Sequence, residues 1–302
     1  MDYHRYSESW NKIFEIGLRE DVIELDFTSE ALFKVTGHRA VRAKLVARKP
    51  LIWAGSGAVA AVKNISMSRG ISLDIYDQTL DGVLVEENAV IAEFVSHPAW
   101  ILSFERTLIN IASYFSGIAT QTNRFVRQVK SKNLILPPRV TLTRKTLPGF
   151  RSLAIYSVVQ GGGYPHRVNL ASGVLIKENH IYSFGSLEAA VKSAKSVAPH
   201  GLKIEVEVKN KKEIEVALEV GVDGILLDNF SPGLVAEAIK QIKEYKNKDS
   251  SSKRPDPFIE VSGGITEENI ADYAIEGVDV ISVGSITHSV KSSNLTLLFD
   301  PD

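Results

Sequence analysis

The sequence predicts an α/β protein in which a mainly antiparallel layer precedes a parallel sheet. In residues 33–97, apolar and polar side chains alternate and are interrupted by Gly and Asp, which is typical of antiparallel strands. From about residue 139, short apolar strands alternate with helical stretches. Repeated βα units require a parallel sheet with covered faces. The 302 residues, of which 44% are hydrophobic, suffice for one large domain or two smaller ones.

Helices are predicted before, between and after the antiparallel strands along the chain. Residues 8–20 have the spacing of an amphipathic helix, with Trp10 and Phe14 on its apolar face. A second helix is predicted near residues 60–70. Residues 98–128 form either one helix or two helices that are bent near Gly117.

The C-terminal half contains six predicted strands, which fit either a barrel or a doubly wound sheet. Two helix starts are well marked, because Ser186 is a potential N-cap and Ser231 is an N-cap followed by Pro232. The predicted strands are RVTLT, SGVLIK, LKIEVEV, GVDGILLD, PFIEVSG and GVDVISVG. The predicted helices include SLEAAVKSAKSV, KKEIEVALEVG, SPGLVAEAIKQIKEY and TEENIADYAIEG.

The composition excludes several classes of protein. A net charge of -1 argues against a general nucleic-acid or membrane-surface binder, so a local cation cluster indicates a specific anion. The absence of cysteine excludes disulfides, thiolate metal sites and a cysteine nucleophile, and it fits a cytoplasmic protein. We expect no signal peptide and no membrane span, because the first residues lack an apolar core and no long apolar run occurs.

Polar residues follow the predicted strands in a definite order, with cations first, then acids, then glycine turns. Ligands bind at the carboxyl ends of strands in βα folds, so this order predicts a single binding rim. In chain order the residues are Arg144 and Lys145, Lys177, Glu205 and Glu207, Asp228, Ser262–Gly264, and Gly284 with Ser285.

The two glycine turns, at 262–264 and 284–285, each precede a predicted helix. Backbone N–H groups at such turns bind anions, and in TIM barrels the last two βα loops commonly hold a phosphate. Either turn alone could be only a tight connection, whereas the consecutive pair favours a phosphate site.

Three glycines at 161–163 end a helix that is predicted to begin near Arg151, and His166 and Arg167 follow them. One glycine suffices for a helix C-cap, so three indicate that the backbone closely approaches another group. A lone histidine is more often structural. The pairing of His166 with Arg167 makes an anion clamp an equally good hypothesis.

Glu207 and Asp228 could bind a hard cation such as Mg²⁺ together with substrate phosphates. They could also stabilise an oxocarbenium-like sugar carbon. We interpret Glu205 as a surface or salt-bridge acid that points away from Glu207. Lys177 could form a Schiff base, but a carboxylate-binding role is favoured because no acid–base partner singles it out. Together these residues predict an anionic small molecule beside a phosphorylated sugar, and hence phosphoribosyl transfer.

Eight motifs occur along the chain in the following order: ERTLINIASYFSGIAT, TRKTLPGFR, GGGYPHR, LIKENHI, IEVEV, LLDNFSP, VSGGIT and ISVGSITHS. In order and spacing they resemble the quinolinate phosphoribosyltransferase family (nicotinate-nucleotide pyrophosphorylase, carboxylating). The resemblance covers nearly the whole chain and is strongest over residues 100–290.

This resemblance implies an incomplete TIM-like α/β barrel with an N-terminal α/β open sandwich domain. The sandwich would comprise residues 1–118, joined by 289–302, and the barrel would comprise residues 119–288. The family implies a homodimer or a dimer-based hexamer with shared active sites. The implied reaction, in NAD biosynthesis, condenses quinolinate with phosphoribosyl pyrophosphate in the presence of Mg²⁺. Its products are nicotinate mononucleotide, pyrophosphate and CO₂.

The resemblance also implies a role for individual residues. The catalytic residues would be Lys145, between quinolinate and pyrophosphate, and Glu207 and Asp228, on the ribose hydroxyls and Mg²⁺. Arg106 would reach the active site of the partner subunit. The groups that hold the quinolinate carboxylates would be Arg144, His166, Arg167 and Lys177. The groups that hold the 5′-phosphate would be Ser262, Gly263, Gly264, Gly284 and Ser285.

The chain departs from the family pattern at two positions beside these residues. Leu142 stands where the family usually has Asp, and Pro165 where it usually has Asn. Loss of the acid at Leu142 predicts a more positive pocket. The departures leave open a paralogous phosphoribosyltransferase for another pyridine or azole carboxylate, such as the relatives associated with molybdenum transport. Two further hypotheses are a non-catalytic phosphoribosyl-ligand binding protein and a Schiff-base aldolase.

Overall fold

The computed structural model describes residues 3–22, 26–33, 39–76, 78–248 and 255–300, and the start of the predicted antiparallel segment, at 34–38, lies outside them. The strands are β1 Val41–Ala47, β2 Leu51–Ile52, β3 Leu73–Tyr76, β4 Leu84–Val85, β5 Val90–Ser96, β6 Arg139–Leu142, β7 Val174–Ile176, β8 Ile204–Val208, β9 Gly224–Asp228, β10 Phe258–Ser262, β11 Val280–Val283 and β12 Leu295–Phe299.

Helices connect most of these strands, and a short 3-10 helix, Tyr3–Tyr6, precedes them. Within the described residues, no helix combines the length and the apolar character that crossing a bilayer requires. The α-helices are α1 Ser7–Asp21, α2 Phe27–Phe33, α3 Ser56–Ser68, α4 Pro98–Lys130, α5 Arg151–Gln160, α6 Glu178–Phe184, α7 Leu187–Val197, α8 Lys211–Val220, α9 Pro232–Lys248, α10 Ile270–Tyr273 and α11 Ser285–His288.

The chain divides into two compact units. The first comprises residues 1–123, 147–162 and 289–302, and the second comprises 124–146 and 163–288. The first unit therefore includes residues 147–162, which the sequence had assigned to the barrel. Aromatic packing explains this difference, because the ring of Phe150 stacks on that of Phe115 at 5.7 Å.

The first unit contains a four-stranded antiparallel sheet in the order β12-β1-β5-β3, which confirms the predicted antiparallel layer. Helix α1 packs on α3, where a Cβ on Gly57 would lie only 2.2 Å from Nε1 of Trp10. Helix α4 is one continuous helix, which confirms the first of the two predicted alternatives. Gly117 instead permits close packing, because a Cβ there would lie 2.5 Å from the carbonyl oxygen of Lys291.

The second unit contains a six-stranded parallel sheet in the order β6-β11-β10-β9-β8-β7. This confirms the predicted parallel sheet with βα connections. At the β6 edge the sheet is extended by a parallel bridge, in which the N–H of Tyr164 donates to the carbonyl of Val140 at 2.9 Å. The residues directly after the glycine run thus continue the sheet.

The predicted helices that begin at a capping residue are present in the structure, whereas one predicted helix is much shorter than expected. Ser186 caps α7, since its Oγ accepts the N–H of Ala189 at 3.1 Å. The predicted helix TEENIADYAIEG contains only α10, which has four residues. The side chain of Asn269 accepts the N–H of Thr266 at 2.8 Å and donates to the carbonyl of Gly264 at 3.0 Å, so it holds a turn instead of a helix.

Candidate active site

A cavity of about 470 Å³ lies in the second unit, at the carboxyl ends of the parallel strands. This is the edge at which βα folds bind ligands. Most of the residues that were predicted to bind substrates line it. They are Arg144, Lys145, His166, Arg167, Lys177, Glu207, Asp228, Ser262, Gly263 and Gly264.

Two guanidinium groups, those of Arg144 and Arg167, are held near each other at this cavity. The Nε of Arg144 is buried and has no hydrogen-bond partner among the described residues. Burial and then the charge of Arg144 lower the pKa of Arg167, while the charges of Glu205 and Glu260 act in the opposite direction. An unpaired buried donor and crowded like charges both cost free energy until an anion binds. The arrangement is therefore suited to an anionic ligand.

Two acids, Glu207 and Asp228, lie near the ends of the adjacent strands β8 and β9. Glu207 accepts a hydrogen bond from Nζ of Lys177, and its side chain is only 11% exposed. Asp228 accepts a hydrogen bond from Nδ2 of Asn229 at 2.9 Å. The acids and the arginines thus line the same cavity, which offers a ligand both positive and negative groups.

The glycine turn at 262–264 has a backbone that favours glycine. Gly263 and Gly264 have φ angles of +95° and +62°. A Cβ on Gly263 would lie 2.2 Å from Oδ1 of Asn229, whereas a Cβ on Gly264 would meet nothing within 4 Å. The helices after the two predicted phosphate turns have only four residues each, so their dipoles are small and an anion there would depend on the peptide N–H groups of the turns.

The remaining predicted site residues do not line the cavity. Gly284 lies beside it, because a Cβ on Gly284 would be 3.5 Å from Cδ of Lys145. Ser285 begins α11, and Oγ1 of Thr287 in this helix donates to the carbonyl of Lys145 at 3.0 Å. Arg106 is an exposed residue of α4 in the first unit.

Comparison with known proteins identifies the family of the chain. A family model described as "Quinolinate phosphoribosyl transferase, C-terminal domain" matches residues 118–298. The chain belongs to the quinolinate phosphoribosyltransferase family.

Its relatives include a probable nicotinate-nucleotide pyrophosphorylase (carboxylating) of Methanocaldococcus jannaschii, which is 49% identical over 207 residues, or 68% of this chain and 71% of the relative. A protein of the same name from Bacillus subtilis is 35% identical over 283 residues, or 92% of this chain and 89% of the relative. The solved structure of the nicotinate-nucleotide pyrophosphorylase from Francisella tularensis superposes with a TM-score of 0.85 at 32% identity and covers 97% of both chains.

This family member also contains a buried acid pair that the sequence did not predict. Glu205 and Glu260 are only 6% and 2% exposed. The expectation that Glu205 is a surface acid pointing away from Glu207 was wrong, because side chains two residues apart on a strand share a face. The same period of two in IEVEV and FIEVS, applied correctly, would have placed both buried acids on the inner face.

The acid pair gives this family member a predicted pH dependence of stability. Burial, and then the charge of Glu260, raise the pKa of Glu205 from its ordinary value of 4.5 to about 9. The folded protein therefore holds a proton that the unfolded chain has lost, and this contribution to stability declines as the pH rises from 4.5 through about 9. Glu205→Gln removes the titrating group. Urea unfolding at several pH values should show wild type losing up to ~1.4 kcal/mol per pH unit relative to the variant. Parallel stability curves would contradict this assignment.

The glycine turn allows a prediction with a matched control. Gly263→Ala introduces both a clash with Asn229 and a strained φ, whereas Gly264→Ala introduces only a strained φ. We expect Gly263→Ala to raise the KM for phosphoribosyl pyrophosphate at least about tenfold, and Gly264→Ala to raise it less, since the backbone is distorted less. Steady-state kinetics and thermal melting of both variants measure this difference. Equal effects in the two variants would show that the clash with Asn229 is not important.

Proposed function

We propose that the protein transfers the phosphoribosyl group of phosphoribosyl pyrophosphate to quinolinate with decarboxylation. The products are nicotinate mononucleotide, pyrophosphate and CO₂. The observation that carries the proposal is the buried, unpartnered Nε of Arg144 beside Arg167 in the cavity that also holds Glu207 and Asp228. A dianionic pyridine suits the arginines and a ribose with a developing positive charge suits the acids. The names of the relatives support this choice.

The two carboxylates of quinolinate would bind to Arg144, Arg167 and Lys177. Arginine binds a carboxylate through two parallel hydrogen bonds, which fixes the plane of the pyridine ring. The pairing of Lys177 with Glu207 suits a carboxylate-binding cation better than a nucleophilic amine, so the Schiff-base hypothesis loses support.

Phosphoribosyl pyrophosphate would occupy the other part of the cavity. Its 5′-phosphate would bind the peptide N–H groups of the 262–264 turn, with Gly284 and Ser285 close by. Lys145 would lie between quinolinate and the pyrophosphate, as its proximity to Gly284 allows.

Mg²⁺ fits the acids at this site. Mg²⁺ is usually held by one or two carboxylates together with substrate phosphates, and Glu207 and Asp228 supply two carboxylates on adjacent strands. When bound, the cation would neutralise charge on the departing pyrophosphate.

The chemistry requires mainly positioning and charge stabilisation. The pyridine nitrogen attacks C1 of the ribose as the bond to pyrophosphate breaks. Glu207 and Asp228 stabilise the positive charge that develops at C1. The cationic ring then accepts the electron pair of the breaking C–C bond as CO₂ departs, and the ring carbon takes up a proton.

Product analysis tests this proposal. Incubation with quinolinate, phosphoribosyl pyrophosphate and Mg²⁺ should give equal amounts of nicotinate mononucleotide, pyrophosphate and CO₂. Pyrophosphate without CO₂ would favour a paralogous transferase. Binding of phosphoribosyl pyrophosphate without any pyrophosphate release would favour a non-catalytic binding protein.

We further propose a homodimer, alone or within a dimer-based hexamer, in which Arg106 of each chain serves the active site of the other chain. The exposed position of Arg106 on α4 leaves it available to a neighbouring subunit. Arg106→Ala and Asp228→Asn should each retain no more than about 1% of wild-type activity alone. After the two variants are mixed and the subunits have exchanged, half of the dimers carry one intact site, so activity should return to roughly a quarter of wild type. No recovery after demonstrated subunit exchange would contradict shared sites.

A further inference from the structure

His166 lines the cavity, but both nitrogens of its ring are already engaged. Its Nδ1 accepts a hydrogen bond from the backbone N–H of Arg167 at 2.7 Å. A backbone N–H can only donate, so Nδ1 must carry a lone pair. The proton of the neutral ring is then on Nε2, which lies 3.2 Å from Oε2 of Glu260.

Glu260 is the hydrogen-bond acceptor for this Nε2–H group. Its side chain is only 3% exposed, so the protein itself must satisfy its carboxylate. A carboxyl oxygen accepts hydrogen bonds, and Nε2–H of His166 supplies one. The neighbouring acid, Glu205, has one carboxylate oxygen within 4.8 Å of the ligand atoms of the other two residues.

Arg167 is held from two directions. Its backbone N–H is fixed by His166, and its Nη1 donates to the carbonyl of Gly173 at 3.3 Å. His166, Arg167 and Glu260 also line a second cavity, of about 330 Å³, which contains residues from the amino ends of the strands. These three residues therefore form a wall between two cavities rather than one side of a single pocket.

A metal ion fits this cluster less well than a hydrogen-bond network. The ligand atoms of His166, Glu205 and Glu260 are close enough together for a metal ion. However, the Arg167 guanidinium already supplies positive charge to both acids. The tautomer fixed by the backbone also places a proton on the histidine nitrogen that faces Glu260.

We propose that His166 is a positioning residue, held by Glu260, that aims Arg167 at the substrate carboxylate and does not itself bind quinolinate. This inference rests on the proposed function, because it concerns how the same site recognises quinolinate. Glu260 then acts as the group that holds His166. His166 acts as a support for Arg167 instead of a ligand of the substrate.

Nitrogen NMR of wild-type protein labelled with ¹⁵N-histidine tests the network directly. The signals of His166 are assigned by their absence in His166→Gln. We expect Nδ1 to be unprotonated and Nε2 to be protonated in the free enzyme, and we expect both signals to keep this pattern when quinolinate saturates the site. A proton on Nδ1, or a change of tautomer on binding quinolinate, would overturn the proposal.

Kinetics of two Glu260 variants test the positioning role. Glu260→Leu removes the acceptor, whereas Glu260→Gln keeps a carbonyl oxygen that Nε2–H of His166 can reach. We expect the KM for quinolinate to rise about tenfold in Glu260→Leu and no more than about threefold in Glu260→Gln, with the KM for phosphoribosyl pyrophosphate within about twofold of wild type in both. Equal quinolinate KM values in wild type and Glu260→Leu would contradict the role.

The two measurements separate this inference from the proposed function. If wild type released no pyrophosphate with quinolinate, the proposed function would fail, and the NMR of the free enzyme would still report the tautomer. If wild type were active but the tautomer were different, only the positioning role would fail. Should Glu260→Leu not fold, the NMR measurement on wild type still decides the question.

Discussion

Replacing Arg144 with alanine is expected to raise the KM for quinolinate roughly a hundredfold or more, because a buried, charge-assisted contact with a carboxylate is lost. The stability of the folded protein, in contrast, should not decrease. The Nε of Arg144 has no hydrogen-bond partner among the described residues, and its charge lowers the pKa of Arg167. Its removal should therefore leave the melting temperature unchanged or raise it.

Arg124→Ala is the matched control for this prediction. Arg124 belongs to the same unit, but its side chain is 57% exposed and lies 3.9 Å from Glu267. We expect its kinetic constants to remain within about twofold of wild type, since exposed ion pairs contribute little. Near-normal activity of Arg144→Ala in a coupled nucleotide assay would refute the assignment of the site.

Replacing Asp228 with asparagine should lower kcat about 100- to 1000-fold, the range seen when one group that stabilises transition-state charge is removed. Asparagine has the same shape, and its oxygen can still accept the hydrogen bond from Asn229 that Asp228 receives at 2.9 Å. The charge is therefore lost while the local structure is retained. The variant should also require more Mg²⁺ for half-maximal activity.

The control for Asp228→Asn is Asp272→Asn. The Asp272 side chain is 64% exposed and lies 3.8 Å from Lys132. This variant should keep wild-type kcat and the wild-type requirement for Mg²⁺. A normal kcat in Asp228→Asn would mean that this carboxylate does not interact with the reacting sugar.

The periodic parts of the fold were predictable because they depend on local signals. Alternation in residues 33–97 and the βα rhythm after residue 139 correctly indicated an antiparallel layer and a parallel sheet. Helix α10 was predicted too long, because a side-chain hydrogen bond by Asn269 competes with the helix. The limits of the compact units differ from the predicted domain limits, because the packing of Phe150 on Phe115 is a contact between residues distant in sequence.

The rim of the cavity was predictable because strand ends can be read directly from the sequence. The network beneath it was not, since His166 and Glu260 are 94 residues apart and only the fold brings them together. Each of the two buried acids nevertheless lies two residues before a predicted site residue on its strand. Glu205 precedes Glu207 and Glu260 precedes Ser262, and that spacing was the available signal.

The two departures from the family pattern, Leu142 and Pro165, lie outside the lining of the candidate active site. Leu142 is only 2% exposed, and its neighbours Thr141 and Thr143 line cavities, so Leu142 points to the opposite face of the strand. Leu142 therefore does not line the candidate active site, and the more positive pocket stays a prediction. Pro165 lines the second cavity and not the candidate active site. Neither residue supports a different substrate.

The central claim is that the cation cluster recognises two carboxylates on one pyridine ring. The most direct test is pyrophosphate release at a fixed concentration of phosphoribosyl pyrophosphate, with quinolinate or nicotinate as the acceptor. Nicotinate lacks the second carboxylate, so we expect kcat/KM to be at least about a hundredfold higher with quinolinate. Equal kcat/KM values for the two acceptors would contradict the account.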